Sequence, residues 1–177
     1  MRTVSDGQLT PVSYVVLGLV ADGATTSYDM KQRAARSIGY FWSFPHSQLY
    51  AEPPRLVGLG LLTEKREDSG RRRRVYSLTR GGRSALDDWL RTPTGEQPQI
   101  RDIGLLKLFF GDRLGSTEVA ELARAQEEMH RSRLAAYELK EGQIDNPRHA
   151  ATLRAGLLLE KLMIDFWRDV GRGTTPP

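Results

Sequence analysis

Residues 49–90 read LYAEPPRLVGLGLLTEKREDSGRRRRVYSLTRGGRSALDDWL, and the order of structural signals in this segment predicts the fold. An apolar helical segment comes first, two strand-like segments at 61–66 and 72–78 follow it, and Thr79 then caps another helix. Helix, hairpin and helix in this order predict a winged helix, with a run of arginines at the tip and arm of the hairpin. These arginines are Arg71, Arg72, Arg73 and Arg74. A polyanion is the expected partner of such a cluster.

Basic residues are concentrated in this hairpin. The chain has a formal net charge of +4, and residues 1–91 carry 14 Lys and Arg against 9 Asp and Glu. Within residues 65–83, eight basic residues stand against two acidic ones, which is the electrostatic pattern of a nucleic-acid-binding surface. Codon bias in a GC-rich genome is the alternative explanation. It accounts for the preference for arginine over lysine, but not for the crowding of basic residues into one hairpin.

The composition is that of a globular chain with a packed core. Of its 177 residues, 39% are hydrophobic and 27% are charged. No apolar run reaches the roughly 18 residues that a membrane-spanning helix needs. Residues 1–7 lack the apolar core of a signal peptide, so we expect a chain that is not exported. The absence of cysteine excludes disulfides and thiolate chemistry and fits a reducing cytoplasm.

Helix and turn signals divide the chain into two parts. Thr10 and Pro11 start the first helix, whose body is apolar on nearly all sides, and this predicts burial on more than one face. Residues 92–98 are rich in turn-forming residues and are typical of a linker. We therefore predict a mostly α fold with a small β wing. Its parts are an N-terminal winged helix-turn-helix domain at 1–91, a linker at 92–101 and a C-terminal α-helical dimerisation domain at 102–177.

The third predicted helix, which begins within residues 45–47, contains Pro53 and Pro54. Proline in a helix interior removes a hydrogen-bond donor and clashes with the preceding turn. The helix is therefore either kinked at this point or divided into two short helices, with the prolines in the first turn of the second one.

Polar side chains near the start of this helix are the candidates for reading DNA. In a helix-turn-helix the second helix enters the major groove, where the bases show a readable donor and acceptor pattern. Gln48 can pair bidentately with adenine, and Arg55 with guanine or a phosphate. Ser47 and Tyr50 can donate to phosphates. The full candidate set is His46, Ser47, Gln48, Tyr50 and Arg55.

The arginine run of the wing lies along one strand, where successive side chains point to opposite faces. At most two of the four arginines should therefore face the same groove. The others are expected to be solvated, or to cover apolar surface with their aliphatic stems.

The last predicted helix, at about residues 148–170, carries more apolar residues than one buried stripe needs. We expect one face to pack on its own protomer and another on a second copy, which makes the chain a homodimer. The candidate dimerisation residues are Leu153, Leu157, Leu158, Met163 and Ile164. The alternative is a central helix in a monomeric bundle.

Several motifs resemble the PadR family of transcriptional regulators, over almost the whole chain. The most specific is RVYSLTRGG at residues 74–82, where a strand, a tyrosine and a capped helix follow one another. The others are SQLY at 47–50, RL at 55–56, GLL at 60–62, VVLGLV at 15–20 and SYDM at 27–30, where the family usually has a glycine-tyrosine pair. The long C-terminal helices resemble the larger subfamily. Pro53 and Pro54 depart from the family pattern, in which helix-forming residues are common at these positions.

The resemblance implies a cytoplasmic, nucleoid-associated bacterial repressor that binds a pseudo-palindromic operator on double-stranded DNA as a homodimer. It places Gln48 and Tyr50 on the recognition helix and residues 72–74 on the wing. It also implies that a small aromatic ligand releases the protein from DNA. The pocket is expected between the two domains or at the dimer seam, with Phe109, Tyr137, Phe166 and Trp167 as candidate residues. Aromatic residues at helical spacing are also typical of a core.

The sequence gives little support for an enzyme. His46, His130 and His149 are not at metal-binding spacings, and phosphate-binding loops and nucleophile elbows are missing. His130 follows two glutamates on a helix face and is expected to be solvated. We therefore predict no catalytic residue, no metal and no cofactor. The remaining alternative is a winged helix that binds an acidic protein or RNA without reading a DNA sequence.

Overall fold

The computed structural model describes residues 8–42, 44–67 and 73–173, the side chain of Tyr40 excepted. Contacts between residues divide the chain at Glu96 into two compact units, Met1–Glu96 and Gln97–Pro177. This division falls inside the segment that the sequence identifies as a linker.

The N-terminal unit has the element order of a winged helix-turn-helix. Its elements are α1 (Pro11–Ala21), α2 (Ser27–Arg36), α3 (Gln48–Gly58), β1 (Leu62–Arg66), β2 (Arg74–Leu78) and α4 (Arg80–Arg91), with a 3-10 turn at Ile38–Tyr40. The two strands form one antiparallel sheet. The predicted mostly helical fold with a small β wing is confirmed.

Reciprocal side-chain caps fix the starts of the first two helices. The Ser13 amide donates to Thr10 Oγ1, and the Thr10 amide donates to Ser13 Oγ at 2.8 Å. Thr26 and Asp29 form the same reciprocal pair at the start of α2. Each cap stabilises its helix by about 1 kcal/mol. The predicted start of α1 is thereby confirmed.

α1 forms the centre of the N-terminal core. It contacts α2, α3, α4 and β2, which confirms its expected burial on more than one side. Val16 and Leu17 of α1 are fully buried, as are Leu49 and Leu56 of α3. Burying each of these side chains stabilises the fold by about 2 kcal/mol. The inner face of α3 is therefore held against α1, and its opposite face is left outward.

α3 continues through Pro53 and Pro54 as one helix, so the chain does not divide into two short helices there. An interior proline costs a helix about 3 kcal/mol, because it removes a hydrogen bond and crowds the preceding turn. Pro53 is itself buried on the inner face, so core packing offsets part of this cost. The remaining support comes from side-chain contacts described with the site.

The hairpin carries the basic side chains of the wing. Its register places Arg66 of β1 opposite Arg74 of β2. The Tyr76 amide also donates to the Thr25 carbonyl at 2.8 Å, which ties β2 to the loop before α2. The sequence at 68–70 predicts a turn between the two strands, and this segment, together with Arg71 and Arg72, lies outside the described residues.

The C-terminal unit is built from α5 (Ile103–Phe109), α6 (Ser116–Glu138) and α7 (Pro147–Arg172), with a 3-10 turn at Gly111–Arg113. α6 and α7 pack antiparallel, since Gly156 lies against Tyr137 near one end and Gly171 against Ala123 near the other. Trp167 is fully buried in the core between them. Across the described ranges, none of the helices combines the length and the apolar character that crossing a membrane requires.

A buried polar cluster joins α6 to α7. His130 Nδ1 lies 2.6 Å from Glu160 Oε2, and Arg133 Nε lies 3.1 Å from Glu160 Oε1. Arg133 also donates to the Tyr137 hydroxyl at 3.0 Å. The expectation that His130 is solvated is therefore wrong. A carboxylate buried between two helices needs hydrogen-bonding partners, and Glu160 of α7 finds them in His130 and Arg133 of α6.

The predicted dimerisation residues are divided between the buried and the exposed faces of α7. Leu157 and Ile164 are buried inside the protomer, because they share the face of α7 that carries Glu160 and Trp167 against α6. Leu153 and Met163 are partly buried, and Leu158 is 59% exposed. Two further leucines that the predicted dimerisation set lacks, Leu159 and Leu162, are exposed. The exposed apolar strip of α7 is therefore Leu158, Leu159 and Leu162.

Candidate nucleic-acid interface

The start of α3 presents polar side chains to the outside. His46, Ser47 and Gln48 are exposed, and Tyr50 is 52% exposed. Leu49 lies between Gln48 and Tyr50 and is fully buried, so it fixes this turn to the core. The four outward side chains carry amide, hydroxyl and imidazole groups. These groups can donate hydrogen bonds to phosphates, and they can donate to or accept from base edges.

Arg55 does not belong to this outward set. Its Nε and Nη2 donate to the two carboxylate oxygens of Glu52 at 3.0 and 2.7 Å. Nη2 also donates to Ser13 Oγ of α1 at 3.0 Å. The expected placement of Arg55 toward guanine or a phosphate is corrected by these contacts, since the guanidinium is directed to the α1–α3 contact.

Ser13, Glu52 and Arg55 form a hydrogen-bonded triad, here called the α1–α3 clamp. Ser13 Oγ donates to Glu52 Oε1 at 2.6 Å, so each member contacts the other two. Partial burial raises the pKa of Glu52, but the hydrogen bonds from Arg55 and Ser13 and the positive charge of Arg55 outweigh it and lower the pKa below its usual value. Glu52 is therefore ionised at neutral pH, and the clamp contains a charge-assisted pair.

Sequence reasoning missed two members of the clamp. Ser13 is a polar residue within the apolar sequence of α1, and a hydroxyl in such a position needs a partner in the core. Glu52 and Arg55 stand three residues apart, a spacing that brings side chains together on one helix face. These two signals together predict a polar contact between α1 and α3.

The wing combines basic side chains with one acidic residue. Arg73 and Arg74 are exposed, and Arg74 Nη1 lies 3.5 Å from Glu64 Oε2. Arg66, which the sequence analysis did not single out, lies 3.8 Å from the same carboxylate through its Nε. Glu64 reduces the repulsion between the cross-strand arginines and leaves an excess of positive charge on the hairpin. The Glu64 side chain is mostly covered, whereas at least half of each arginine side chain is exposed, so both guanidinium groups remain accessible from outside.

The candidate effector residues do not line one cavity among the described residues. Trp167 lines a groove of about 340 Å³ with α6 and α7 residues that include Arg124, Glu127 and Arg168. Phe166 packs edge-on against Trp167, whereas Tyr137 is buried beside Arg133. Phe109 is 78% exposed on α5. The four side chains therefore do not all line the groove beside Trp167, and the predicted effector pocket stays a prediction.

Two family models match the chain in succession. Residues 16–88 match the transcriptional regulator PadR-like family, and residues 100–171 match the virulence activator alpha C-term. The first range covers the helices and wing of the N-terminal unit from Val16 onward, and the second covers α5 to α7.

The chain is similar to a characterised regulator and to its solved structures. The negative transcriptional regulator PadR of Bacillus subtilis is 29% identical over 126 residues, which span 70% of this chain and 69% of that protein. The crystal structure of Bacillus subtilis PadR in complex with operator DNA matches with a TM-score of 0.84 and 25% identity, over 93% of this chain and 99% of the other. The structure of the same protein in complex with p-coumaric acid matches with a TM-score of 0.75 and 23% identity, over 96% and 100%.

Proposed function

The chain belongs to the PadR-like family of transcriptional regulators, and we propose that it is a homodimeric repressor that binds a pseudo-palindromic operator. The observation that carries this proposal is the outward polar turn at residues 46–50, supported by a basic hairpin in the same unit. The fold that presents this turn matches an operator-bound relative over 93% of this chain. We assign DNA binding to residues 1–91 and dimerisation to residues 102–177, joined by a linker at 92–101.

The proposed contacts divide between two elements. α3 enters the major groove with His46, Ser47, Gln48 and Tyr50, of which Gln48 is the base reader because its amide can pair with both groups of an adenine edge. The wing contacts the phosphate backbone through its arginines, which supply affinity for any sequence. Arg55 is not among the proposed DNA contacts, because its guanidinium donates to Glu52 and Ser13.

The proposed dimer interface is the exposed apolar strip of α7, Leu158, Leu159 and Leu162. These leucines are more than half exposed in the single protomer, and α5 adds further exposed apolar side chains. The α5 set is Ile103, Leu106 and Phe109. Exposed apolar side chains grouped on one helix face are typical of an interaction site. Dimerisation sets the spacing of two winged helices to half-sites about one helical turn apart.

Gln48→Ala is expected to weaken operator binding by about 1–3 kcal/mol and to leave binding to random duplex DNA nearly unchanged, since it removes a base contact only. The matched control is Arg73→Ala with Arg74→Ala, which should weaken binding to both DNAs alike and flatten the salt dependence by about one unit of slope per lost phosphate contact. Fluorescence anisotropy at several salt concentrations measures both effects. Equal losses on operator and random DNA from Gln48→Ala would remove Gln48 as base reader.

We extend the proposal to release from DNA by a small aromatic ligand. Its support is the relative from Bacillus subtilis, whose structure was solved with p-coumaric acid. In this chain Trp167 is the aromatic residue that both lines a groove and is fully buried, so its fluorescence is expected to report ligand entry.

Titration with p-coumaric acid is expected to change tryptophan fluorescence in a saturable way and to weaken operator binding by about tenfold or more, the size of a typical allosteric coupling. Trp167→Phe should remove most of the fluorescence change, whereas Trp89→Phe on α4 should keep it. If a series of aromatic acids, p-coumaric acid included, gives neither a saturable change nor release of DNA, this extension is wrong.

A further inference from the structure

The two prolines of α3 weaken the segment that carries the base reader. Pro53 and Pro54 have no amide hydrogen, so the helix bonds that would reach the carbonyls of Leu49 and Tyr50 cannot form. These carbonyls belong to the turn that also carries Gln48. Backbone hydrogen bonds therefore connect this turn to the rest of α3 less firmly than in an uninterrupted helix.

The α1–α3 clamp spans this weak point. Glu52 directly precedes the two prolines and Arg55 directly follows them, and the two side chains are joined by hydrogen bonds of 2.7 and 3.0 Å. Ser13 bonds to both of them from α1, and its Oγ also accepts the Thr10 amide at the helix cap. The two sides of the proline pair are thus tied to each other and to a fixed point on α1.

The clamp is well suited to define a position, because its geometry is directional. A guanidinium that donates two parallel bonds to one carboxylate fixes the angle as well as the distance between them. The Glu52 side chain is 13% exposed and the Arg55 side chain 28% exposed, so water competes weakly with these bonds. Removing one partner leaves the other partly buried and without its charge complement.

We propose that Ser13, Glu52 and Arg55 are positioning residues for DNA recognition, which hold the turn at residues 46–50 at the angle that base reading requires. This inference rests on the proposed function. The three residues touch no base themselves; they act through Gln48 and Tyr50, which are attached to the segment that the clamp orients. Loss of the clamp should therefore reduce discrimination between sequences more than affinity for DNA in general.

The test compares Glu52→Gln with Leu86→Val, a core substitution in α4 that serves as the control for general destabilisation. Glu52→Gln is expected to weaken operator binding about tenfold or more, the size of a lost base contact, and to change binding to random DNA less than about twofold. Leu86→Val is expected to weaken operator binding and random-DNA binding only slightly and to the same extent.

Hydrogen exchange provides a readout that does not depend on DNA. In Glu52→Gln the amides of residues 49–52 are expected to exchange about tenfold faster, because the turn opens locally, while those of α4 stay within about twofold. If the unsubstituted protein shows no sequence preference, the proposed function fails, but the exchange rates still decide whether the clamp holds the turn.

A second substitution tests the link to the prolines. Pro54→Ala restores a donor for the Tyr50 carbonyl, and Pro54 is only partly buried, so the change is compatible with the core. Combined with Glu52→Gln, it is expected to recover most of the operator preference and to slow exchange in residues 49–52. The inference is overturned if Glu52→Gln keeps both operator preference and exchange rates, or if Leu86→Val loses the preference equally. It is likewise overturned if Pro54→Ala recovers nothing.

Discussion

Replacing Gly82 by alanine is expected to destabilise the N-terminal unit by about 3 kcal/mol or more, which places it among the most harmful single substitutions in this part of the chain. A Cβ at this position would overlap the carbonyl oxygen of Leu61 and approach its carbonyl carbon to 3.0 Å. That carbonyl cannot easily move, since it accepts the Thr79 amide and the Thr79 hydroxyl, each at 3.1 Å. The close approach of α4 to the strand entry therefore requires a glycine.

Gly81→Ala is the matched control one residue earlier. The nearest atom to its added Cβ is Thr79 Oγ1 at 3.6 Å, an ordinary contact. Alanine is also a better helix former than glycine by about 1 kcal/mol, so this variant should be neutral or slightly more stable. Urea unfolding combined with hydrogen exchange of the Leu17 and Leu56 amides measures the N-terminal unit separately. Similar stabilities for the two variants would show that α4 and Leu61 do not approach as closely as described.

Introducing charge into the exposed strip of α7 is expected to give the largest functional loss. With Leu158→Glu and Leu162→Glu together, two copies would place carboxylates in an apolar interface, and the protein should become monomeric. A monomer contacts one half-site at a time, so operator affinity should fall by about a hundredfold or more through loss of the linked second contact. Both leucines are exposed in the protomer, so its own fold should remain intact.

Analytical ultracentrifugation and operator titration of this double variant measure the two effects. Lys161→Glu is the control, because it adds a negative charge at an exposed polar position of the same helix. It should remain dimeric and keep its operator affinity within a few-fold, as exposed charges contribute little to packing. A double variant that stays dimeric and binds the operator normally would exclude the α7 strip as the dimer interface.

The order of elements in the N-terminal unit was predictable because local signals agree with one another. Thr10 with Pro11, the apolar alternation around Tyr76 and the Thr79 cap each identify one element boundary without knowledge of the tertiary fold. The alternation of buried Leu49 with exposed Gln48 and Tyr50 then follows from the helix facing the α1 core. Local patterns were sufficient for this part of the site.

Features that depend on contacts between distant residues were not predictable in the same way. From its local sequence Arg55 resembles a base-reading side chain. In the structure its guanidinium donates a hydrogen bond to Ser13, which lies 42 positions earlier. His130 resembles a solvated residue until Glu160, 30 positions later, is placed beside it. Polar side chains carry no local sign of whether their partner is water, DNA or another helix. Their assignment needs the packed structure.

The faces of α7 illustrate a second limit. Its sequence contains apolar residues around most of the helix, so periodicity alone could not separate the face on α6 from the outward one. The structure makes the separation, since Glu160 lies at the centre of the inner face although its side chain is polar. The burial of Glu160 in the structure therefore identifies the inner face of α7, which the hydrophobicity of the sequence does not identify.

Whether the chain reads a DNA sequence is tested by selecting genomic DNA fragments with the purified protein and sequencing the bound fragments. A sequence-reading homodimer is expected to enrich one inverted repeat whose half-sites lie about one helical turn apart. Gln48→Ala should change or weaken the enriched half-site, whereas Arg73→Ala with Arg74→Ala should lower recovery without changing it. Fragments bound without any shared motif would contradict sequence-specific DNA binding and favour a basic winged helix that binds an acidic protein or RNA.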